Sequence, residues 1–320
     1  MTVTSPVSIV IPCYNRAALV GEAIESALAN GDGAEIIVVD DGSTDASWDR
    51  ISAFSGRIRS FRIPNSGVSA ARNFGVEQAK GAFIKFLDSD DRLPAGAVQA
   101  LLQAQSDLAP QQIVFGDASS IGPMGEAIVP FGYGYAGLAP NGAMSRAALL
   151  SGTMSPYLPL YPIKALHLVG GFNPTLSLGE DQELAVRISL AGFQFFRIPF
   201  VVAEVREHLE DRLSRTGDAD IYRRQVCVAN EILRHLCSET SSITQDEILS
   251  FARTIWILGR DAARRRFEVE SRQLFRISTD IAGPVQAAPV ILRPFYKIVD
   301  PYKMEKVLDL IKRVIRRTKS

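Results

Sequence analysis

Four short runs of β-forming residues, each followed by a stretch of helical patterning, set the limits of what this chain can fold into. They are Val7–Ile11, Glu35–Asp40, Arg57–Ile63 and Ala82–Leu87. Strands that alternate with helices build βαβ units and a mostly parallel sheet, so the expected class is α/β. The first strand is expected to stop at Pro12, and the polar turn Cys13-Tyr14-Asn15-Arg16 to lead into a helix ending near Ala29. The second strand ends in Asp41-Gly42-Ser43-Thr44-Asp45, where Ser43 or Thr44 can cap the following helix. Asn65-Ser66-Gly67 opens a helix over Val68–Gln78, and Gly81 breaks the chain before the fourth strand.

That fourth strand runs into Asp88, Asp90 and Asp91, three carboxylates within four residues. Ligands of open α/β sheets bind outside the carboxyl ends of the strands, so these acids stand where chemistry is expected. Asp88 and Asp90 are two apart, hence on one side of an extended chain, and just past the strand they can converge on one hard cation. Mg2+ or Mn2+ held in this way takes its remaining ligands from phosphate oxygens and water, which suits a nucleotide-sugar. The alternative is a solvated acidic turn that begins the next helix, with Pro94 at an early helical position.

After Pro94 the pattern gives a helix to about Ser106 and a short strand over Gln112–Gly116, and then the alternation fails. Residues 118–160 are rich in Gly, Pro, Ser and Tyr, with Phe131, Tyr133, Tyr135, Tyr157 and Tyr161 nearby, as in a lid or binding loop. Gly132-Tyr133-Gly134-Tyr135-Ala136-Gly137 has dinucleotide-loop spacing, but it follows no clear strand and opens no helix, so it carries no such meaning. Helices are expected near Ile163–Val169 and from Glu180 to Ala191, with the turn Gly170-Gly171-Phe172 between them and an extended segment over Phe193–Val205. From about Arg212 the chain turns helical and basic, most clearly over Ile221–Leu236 and Gln245–Glu270. Met304, Val307, Leu308, Ile311, Val314 and Ile315 share one helical face, and lysines and arginines between 303 and 319 fill the remainder. Such a helix either lies on an anionic membrane surface or docks on its own domain.

The 320 residues, 47% of them hydrophobic, suffice for one large domain with an appendage. Lys+Arg and Asp+Glu are equal at 35, so no net field draws nucleic acid. Cys13, Cys227 and Cys237 are odd in number and lack metal-ligand spacing, which suits a reducing compartment. Met1–Pro6 holds no signal core and no apolar run reaches membrane-spanning length, so the expected location is the cytoplasm, with at most a peripheral hold on a membrane.

Five stretches then follow one another: Val7-Ser8-Ile9-Val10-Ile11-Pro12-Cys13-Tyr14-Asn15, Val38-Val39-Asp40-Asp41-Gly42-Ser43-Thr44-Asp45, Asn65-Ser66-Gly67-Val68-Ser69-Ala70-Ala71-Arg72-Asn73, Leu87-Asp88-Ser89-Asp90-Asp91 and Gly179-Glu180-Asp181. Their types and order resemble the family 2 glycosyltransferases over about residues 5–210. The resemblance implies the GT-A fold, a mostly parallel Rossmann-like sheet flanked by helices. Its nucleotide-binding half would lie at 1–117 and its acceptor-binding half at 118–212, with a helical region at 213–320. It also implies inverting transfer of a sugar from a nucleotide-sugar, most often a UDP-sugar, to a hydroxyl of a glycan or glycolipid in cell-surface polysaccharide synthesis. Mn2+ or Mg2+ is the cofactor it implies.

By the same resemblance Pro12 and Tyr14 pack the base, and Asp41, in preference to Asp40, accepts the uracil N3–H. Asn65 and Arg72 touch base or phosphates, with a helix-surface ion pair as the other reading of Arg72. Asp90 is implied as a direct metal ligand, Asp88 as reaching the ribose or a metal-bound water, Ser89 as touching the nucleotide-sugar, and Asp91 as a substitute. Asp181, at a helix start, is the implied general base, against the plainer reading of Glu180 and Asp181 as N-terminal helix charges. His208 would complete the metal shell, although Leu209-Glu210-Asp211-Arg212 departs from the family's small polar residues and a structural histidine is the alternative. His167 and His235 are read as structural. Two rivals stand beside this reading: a nucleotidyltransferase, which would want a basic Gly-rich phosphate loop near the first strand, and a catalytically inactive nucleotide-sugar-binding scaffold.

Overall fold

The computed structural model describes residues 6–30, 33–123, 127–128, 138–139, 141–152, 154–207, 219–238, 243–283, 286–289, 293–296 and 299–317, with backbone alone at 127, 128, 295 and 310–317. His208, Phe131, Tyr133, Tyr135 and the stretch 132–137 lie outside the described residues. The chain divides into two compact units, residues 1–145 with 154–212 and residues 146–153 with 213–320.

In the first unit β1 (Val7–Cys13), α1 (Val20–Ala29), β2 (Glu35–Asp40), α2 (Ser47–Ser52), β3 (Arg59–Arg62), α3 (Val68–Gln78), β4 (Phe83–Phe86), α4 (Ala97–Ser106) and β5 (Gln112–Ile121) alternate as expected. After β6 (Ala127–Ile128) the chain contributes α5 (Arg146–Leu150) to the second unit. It returns with β7 (Leu160–Pro162), α6 (Ile163–Val169), α7 (Glu180–Leu190) and β8 (Gln194–Arg206). The main sheet has the order β3-β2-β1-β4-β7, parallel except for β7. A second sheet, β6-β5-β8, pairs β5 with β8 in parallel. Every residue of β1 and all but the first of β2 are buried, the pattern of strands covered on both faces.

Helix α3 lies close on β1. A Cβ added at Gly75 would stand 2.3 Å from Cγ1 of Val10, a buried side chain that is stiff at χ1. Gly75→Ala is therefore expected to cost about 1–3 kcal/mol through overpacking, read as a lower urea midpoint at unchanged slope. An unchanged midpoint would mean that α3 can shift without penalty.

Several local expectations change. Pro12 does not stop the first strand, which continues to Cys13. The β4 ladder on that side ends at Val10, so the missing proline N–H forfeits no bond there. Neither Ser43 nor Thr44 caps a helix: α2 begins only at Ser47 behind Ala46, and both residues serve Asn15 instead. The third strand shortens to Arg59–Arg62, while β5 extends five residues beyond Gly116 because β8 arrives to pair with it. The acids at 88–91 do not begin a helix, since Arg92–Gly96 separate them from α4 and Pro94 precedes it.

The second unit adds α8 (Ala219–Ser238), α9 (Gln245–Arg264), α10 (Glu268–Ala282), α11 (Arg293–Tyr296) and α12 (Pro301–Arg317). The run expected over Gln245–Glu270 is two helices. Arg266 takes a left-handed φ of 69°, its N–H donates to Ala263 O, and the Phe267 N–H donates to Ala262 O, which closes α9. Trp256 packs edge-on against Phe275 and Tyr296 at the centre of this unit, with Tyr302 and Met304 of α12 beside them. Glu305, fully buried, meets Arg260 Nε at 2.6 Å and accepts the Tyr296 hydroxyl. Lys303, Lys306 and Val307 stay outward. Among the described residues no helix is long and apolar enough to cross a membrane.

Candidate active site

Strands β1, β2 and β4 are parallel neighbours, so their carboxyl ends deliver residues 14–19, 41–46 and 87–92 to one edge of the sheet. The first two loops are laced together. Asp41 N–H donates to Cys13 O at 2.8 Å, Asn15 N–H to Ser43 Oγ at 2.9 Å, and Thr44 N–H to Asn15 Oδ1 at 2.8 Å. Asn15 turns the chain with a φ of 51°, a conformation asparagine tolerates better than most residues. Asp41 reaches further, accepting the N–H groups of Ser66 and Gly67 at 2.8 and 2.9 Å and so fixing the entrance of α3. Burial pushes its carboxyl pKa up against those two bonds. Asp40 is fully buried, with Arg62 Nε 3.0 Å away as its counter-charge.

At this edge Tyr14 is 44% exposed, and Asn65 is exposed beside Gly42, while Pro12 is buried within β1. Ser89 is buried in the acid loop, where the Asp91 N–H closes back on Asp88 O at 3.1 Å. Asp90 Oδ2 lies 3.2 Å from Arg16 Nε, and Asp88 Oδ1 lies 2.8 Å from Arg72 Nη2. The two carboxylates are thus each met by a guanidinium. Among the described residues no three His, Cys, Asp or Glu side chains group as a metal shell. The donor set that is present, two part-buried carboxylates with hard oxygens, fits Mg2+ or Mn2+ completed by phosphate and water.

Arg72 joins this edge to α7. It is 3% exposed, so the surface ion pair considered above is replaced by a buried one: Nη1 donates to Glu180 Oε1 at 2.9 Å while Nη2 holds Asp88. Burial alone would lower the guanidinium pKa, but Asp88 and then Glu180 outweigh it and raise it. The group also lies 5.2 Å over the ring of Phe172, which stands edge-on to Phe86 of β4. Its neighbour Asn73 brackets the same residue, donating to Phe172 O and accepting Phe172 N–H, each at 2.8 Å.

Helix α7 follows Gly179, which is left-handed at φ 69°. Arg187 anchors the helix from below, pairing with Glu183 and donating to the carbonyls of Val169 and Gly171 at the end of α6. Asp181 Oδ1 accepts the Gln182 N–H at 2.8 Å. Burial first, and the Glu180 charge second, push the Asp181 carboxyl up to about 6, with Arg72 pulling the other way. A carboxylate so tuned sits in the range of a general base working near neutrality. Sequence reasoning passed over Arg16, Phe172 and Arg187, and it assigned no role to Asn73 although Asn73 stands in the motif that holds Arg72. Only that adjacency was a signal.

Residues 8–123 match the model for Glycosyl transferase family 2. The chain is 30% identical over 190 residues to a chondroitin synthase of Pasteurella multocida, covering 58% of this chain and 19% of that protein. It is 32% identical over 208 residues to the succinoglycan biosynthesis protein ExoU of Rhizobium meliloti, covering 61% and 60%. The chain therefore spans less than two thirds of the length of these relatives. A crystal structure of S. aureus TarS 1–349 in complex with UDP-GlcNAc superposes with a TM-score of 0.62 at 19% identity, covering 95% of this chain and 88% of that one. The fold is that of the GT-A glycosyltransferases, and the chain carries a family 2 glycosyltransferase domain.

Proposed function

We propose that this chain moves a sugar, with inversion, from a UDP-sugar to a hydroxyl of a glycan or glycolipid acceptor in polysaccharide synthesis. The observation that carries the reading is the Arg72 bridge: Asp88 and Glu180, far apart in sequence, are held on one buried guanidinium with Asp181 next in the chain. UDP is the nucleotide named with the TarS structure, and succinoglycan biosynthesis is named with ExoU. Tyr14, exposed two residues after the buried Pro12, is offered to the base, and Asp41, Asp40 and Asn65 border the same edge. Asp88, Ser89 and Asp90 face the diphosphate, and Asp88 and Asp90, with His208, would hold Mn2+ or Mg2+. The ion, when bound, neutralises charge on the departing diphosphate.

Asp181 takes the acceptor hydroxyl's proton at Oδ2, since Oδ1 already accepts the Gln182 N–H. The hydroxyl oxygen then bonds to the anomeric carbon, the bond from that carbon to the diphosphate oxygen breaks, and the nucleoside diphosphate leaves with the bonding pair. Within the same reading, residues 1–117 serve the nucleotide and 118–212 the acceptor. Lys303, Lys306 and Val307 offer a cytoplasmic, peripheral hold on an anionic membrane surface. Thermal unfolding with UDP, GDP, CDP and dTDP, each with and without Mn2+, tests the donor class. UDP with Mn2+ at 100 times its dissociation constant should add about 2.7 kcal/mol and exceed the metal-free shift. A larger shift with another nucleotide would replace UDP, and no shift with any would remove the donor site.

A further inference from the structure

The end of β8 is fastened to the acid loop by contacts that no motif announces. Arg92 and Glu204 bridge backbone to backbone in both directions, at 3.0 and 2.8 Å, and their side chains pair again, Nε to Oε2 at 3.0 Å. Two residues on stands Arg206, 3% exposed. Its backbone N–H donates to Asp91 Oδ1 at 2.9 Å and its Nε to the carbonyl of Asp90 at 3.0 Å. Nη1 donates to the carbonyls of Gly122 and Pro123 at 3.2 and 3.1 Å, and Nη2 to Glu22 Oε2 at 2.5 Å. One planar group thus ties together the acid loop, the chain leaving β5, helix α1 and the last residue of β8.

We propose that Arg206 is a positioning residue: by gripping the Asp90 carbonyl and the Asp91 carboxylate it fixes the direction in which the Asp88 and Asp90 carboxylates are presented to a metal-bound diphosphate. This rests on the reading of those acids given above. Two features of the arrangement suit the task. The Asp90 carbonyl is the acceptor, so its peptide plane is held by a bond that does not use the carboxylate, which Arg16 meets separately at 3.2 Å. The charge is also locally balanced, because Glu22 pairs with both Arg206 and Arg92 and Glu204 pairs with Arg92, so the pin brings little net repulsion to a cation site. Lysine cannot substitute, since an ammonium is a point charge and lacks the planar fork that reaches Asp90, Gly122 and Glu22 at once.

The test uses the full chain as parent, Arg206→Lys, Glu22→Gln and Asp90→Asn. In the ligand-free protein, amide hydrogen exchange at residues 90–92 and 204–207 should quicken in Arg206→Lys, and unchanged exchange overturns the pin. Calorimetric titration with UDP, with and without MnCl2, gives the second reading. Arg206→Lys should lose about 10- to 100-fold of the metal-dependent part of UDP affinity, as expected when an outer-shell partner is removed, and keep the metal-free part. Glu22→Gln, which removes the charge that pairs with both Arg206 and Arg92 but leaves the Arg206 bonds to Asp90 and Gly122, should lose less in the same direction and covers the case in which Arg206→Lys does not fold. If Asp90→Asn abolishes the metal-dependent gain while a folded Arg206 or Glu22 variant retains it, the positioning role is wrong. If Asp90→Asn retains the gain, the acid loop is not the diphosphate site and the inference falls with that reading.

Discussion

Asp181→Asn is expected to lower the transfer rate by about 10^2- to 10^4-fold, the range contributed by a positioned general base, with nucleotide affinity unchanged. The substitution is nearly isosteric, and the amide oxygen can still accept the Gln182 N–H that orients the side chain. What disappears is the ability to take a proton. The loss belongs in the turnover number with a constant Kd for UDP by calorimetry. Full turnover in the variant would end the assignment of Asp181 as base.

The pH dependence carries a sign that can be checked separately. The base acts only when ionised, so turnover should fall about tenfold per pH unit below roughly 6, the value to which burial and Glu180 push the carboxyl. Stability runs the other way. A carboxyl whose folded pKa is raised above its unfolded value contributes stability that is fully present below the unfolded value and lost as pH rises through about 6. Asp181→Asn removes that loss. Between pH 5 and pH 8 the melting temperature of the variant should therefore gain on that of the parent, which also excludes unfolding as the cause of lost activity. A variant-minus-parent difference that stays constant or falls across this window would show that Asp181 is not held in a raised state.

The elements that were legible in the sequence are those whose limits are set locally. Helix α3 spans Val68–Gln78 as its pattern indicates, with Gly67 ahead of it at a φ of 89°, and α6 ends where Gly170 turns left-handed. The break between α9 and α10 was hidden because an arginine, Arg266, occupies the left-handed position that glycine usually marks. The extension of β5 depended on β8, about eighty residues away in the chain, and no local propensity encodes that pairing. The site divides along the same line. Its acids were visible because strand ends in a parallel sheet gather at one edge, and Asp40, Asp41, Asp88, Asp90 and Asp91 all lie there. Their partners were not visible. Arg72 with Glu180, Asn73 with Phe172 and Arg206 with Glu22 meet only after the chain has folded, and nothing at either position in the sequence names the partner.

Arg72→Met is expected to cost about 3–5 kcal/mol, because it leaves the part-buried Asp88 and Glu180 carboxylates facing each other without their shared counter-charge. Against a total stability of order 5–15 kcal/mol this is a large fraction, measurable as a drop in the urea midpoint. A second effect is specific to the site. Arg72 lowers the Asp181 pKa and Glu180 raises it, so removing Arg72 should move the acid limb of turnover above pH 6. Adding Glu180→Gln to Arg72→Met removes one of the stranded charges and the neighbour that raises Asp181. The double variant should accordingly recover part of the stability and bring the acid limb back down. The two substitutions touch one network, so their stability effects should couple by more than the few tenths of a kcal/mol seen between independent sites. Simple additivity, with an acid limb that does not move in either variant, would mean that the guanidinium merely fills space between β4 and α7 and does not join the two halves of the site electrostatically.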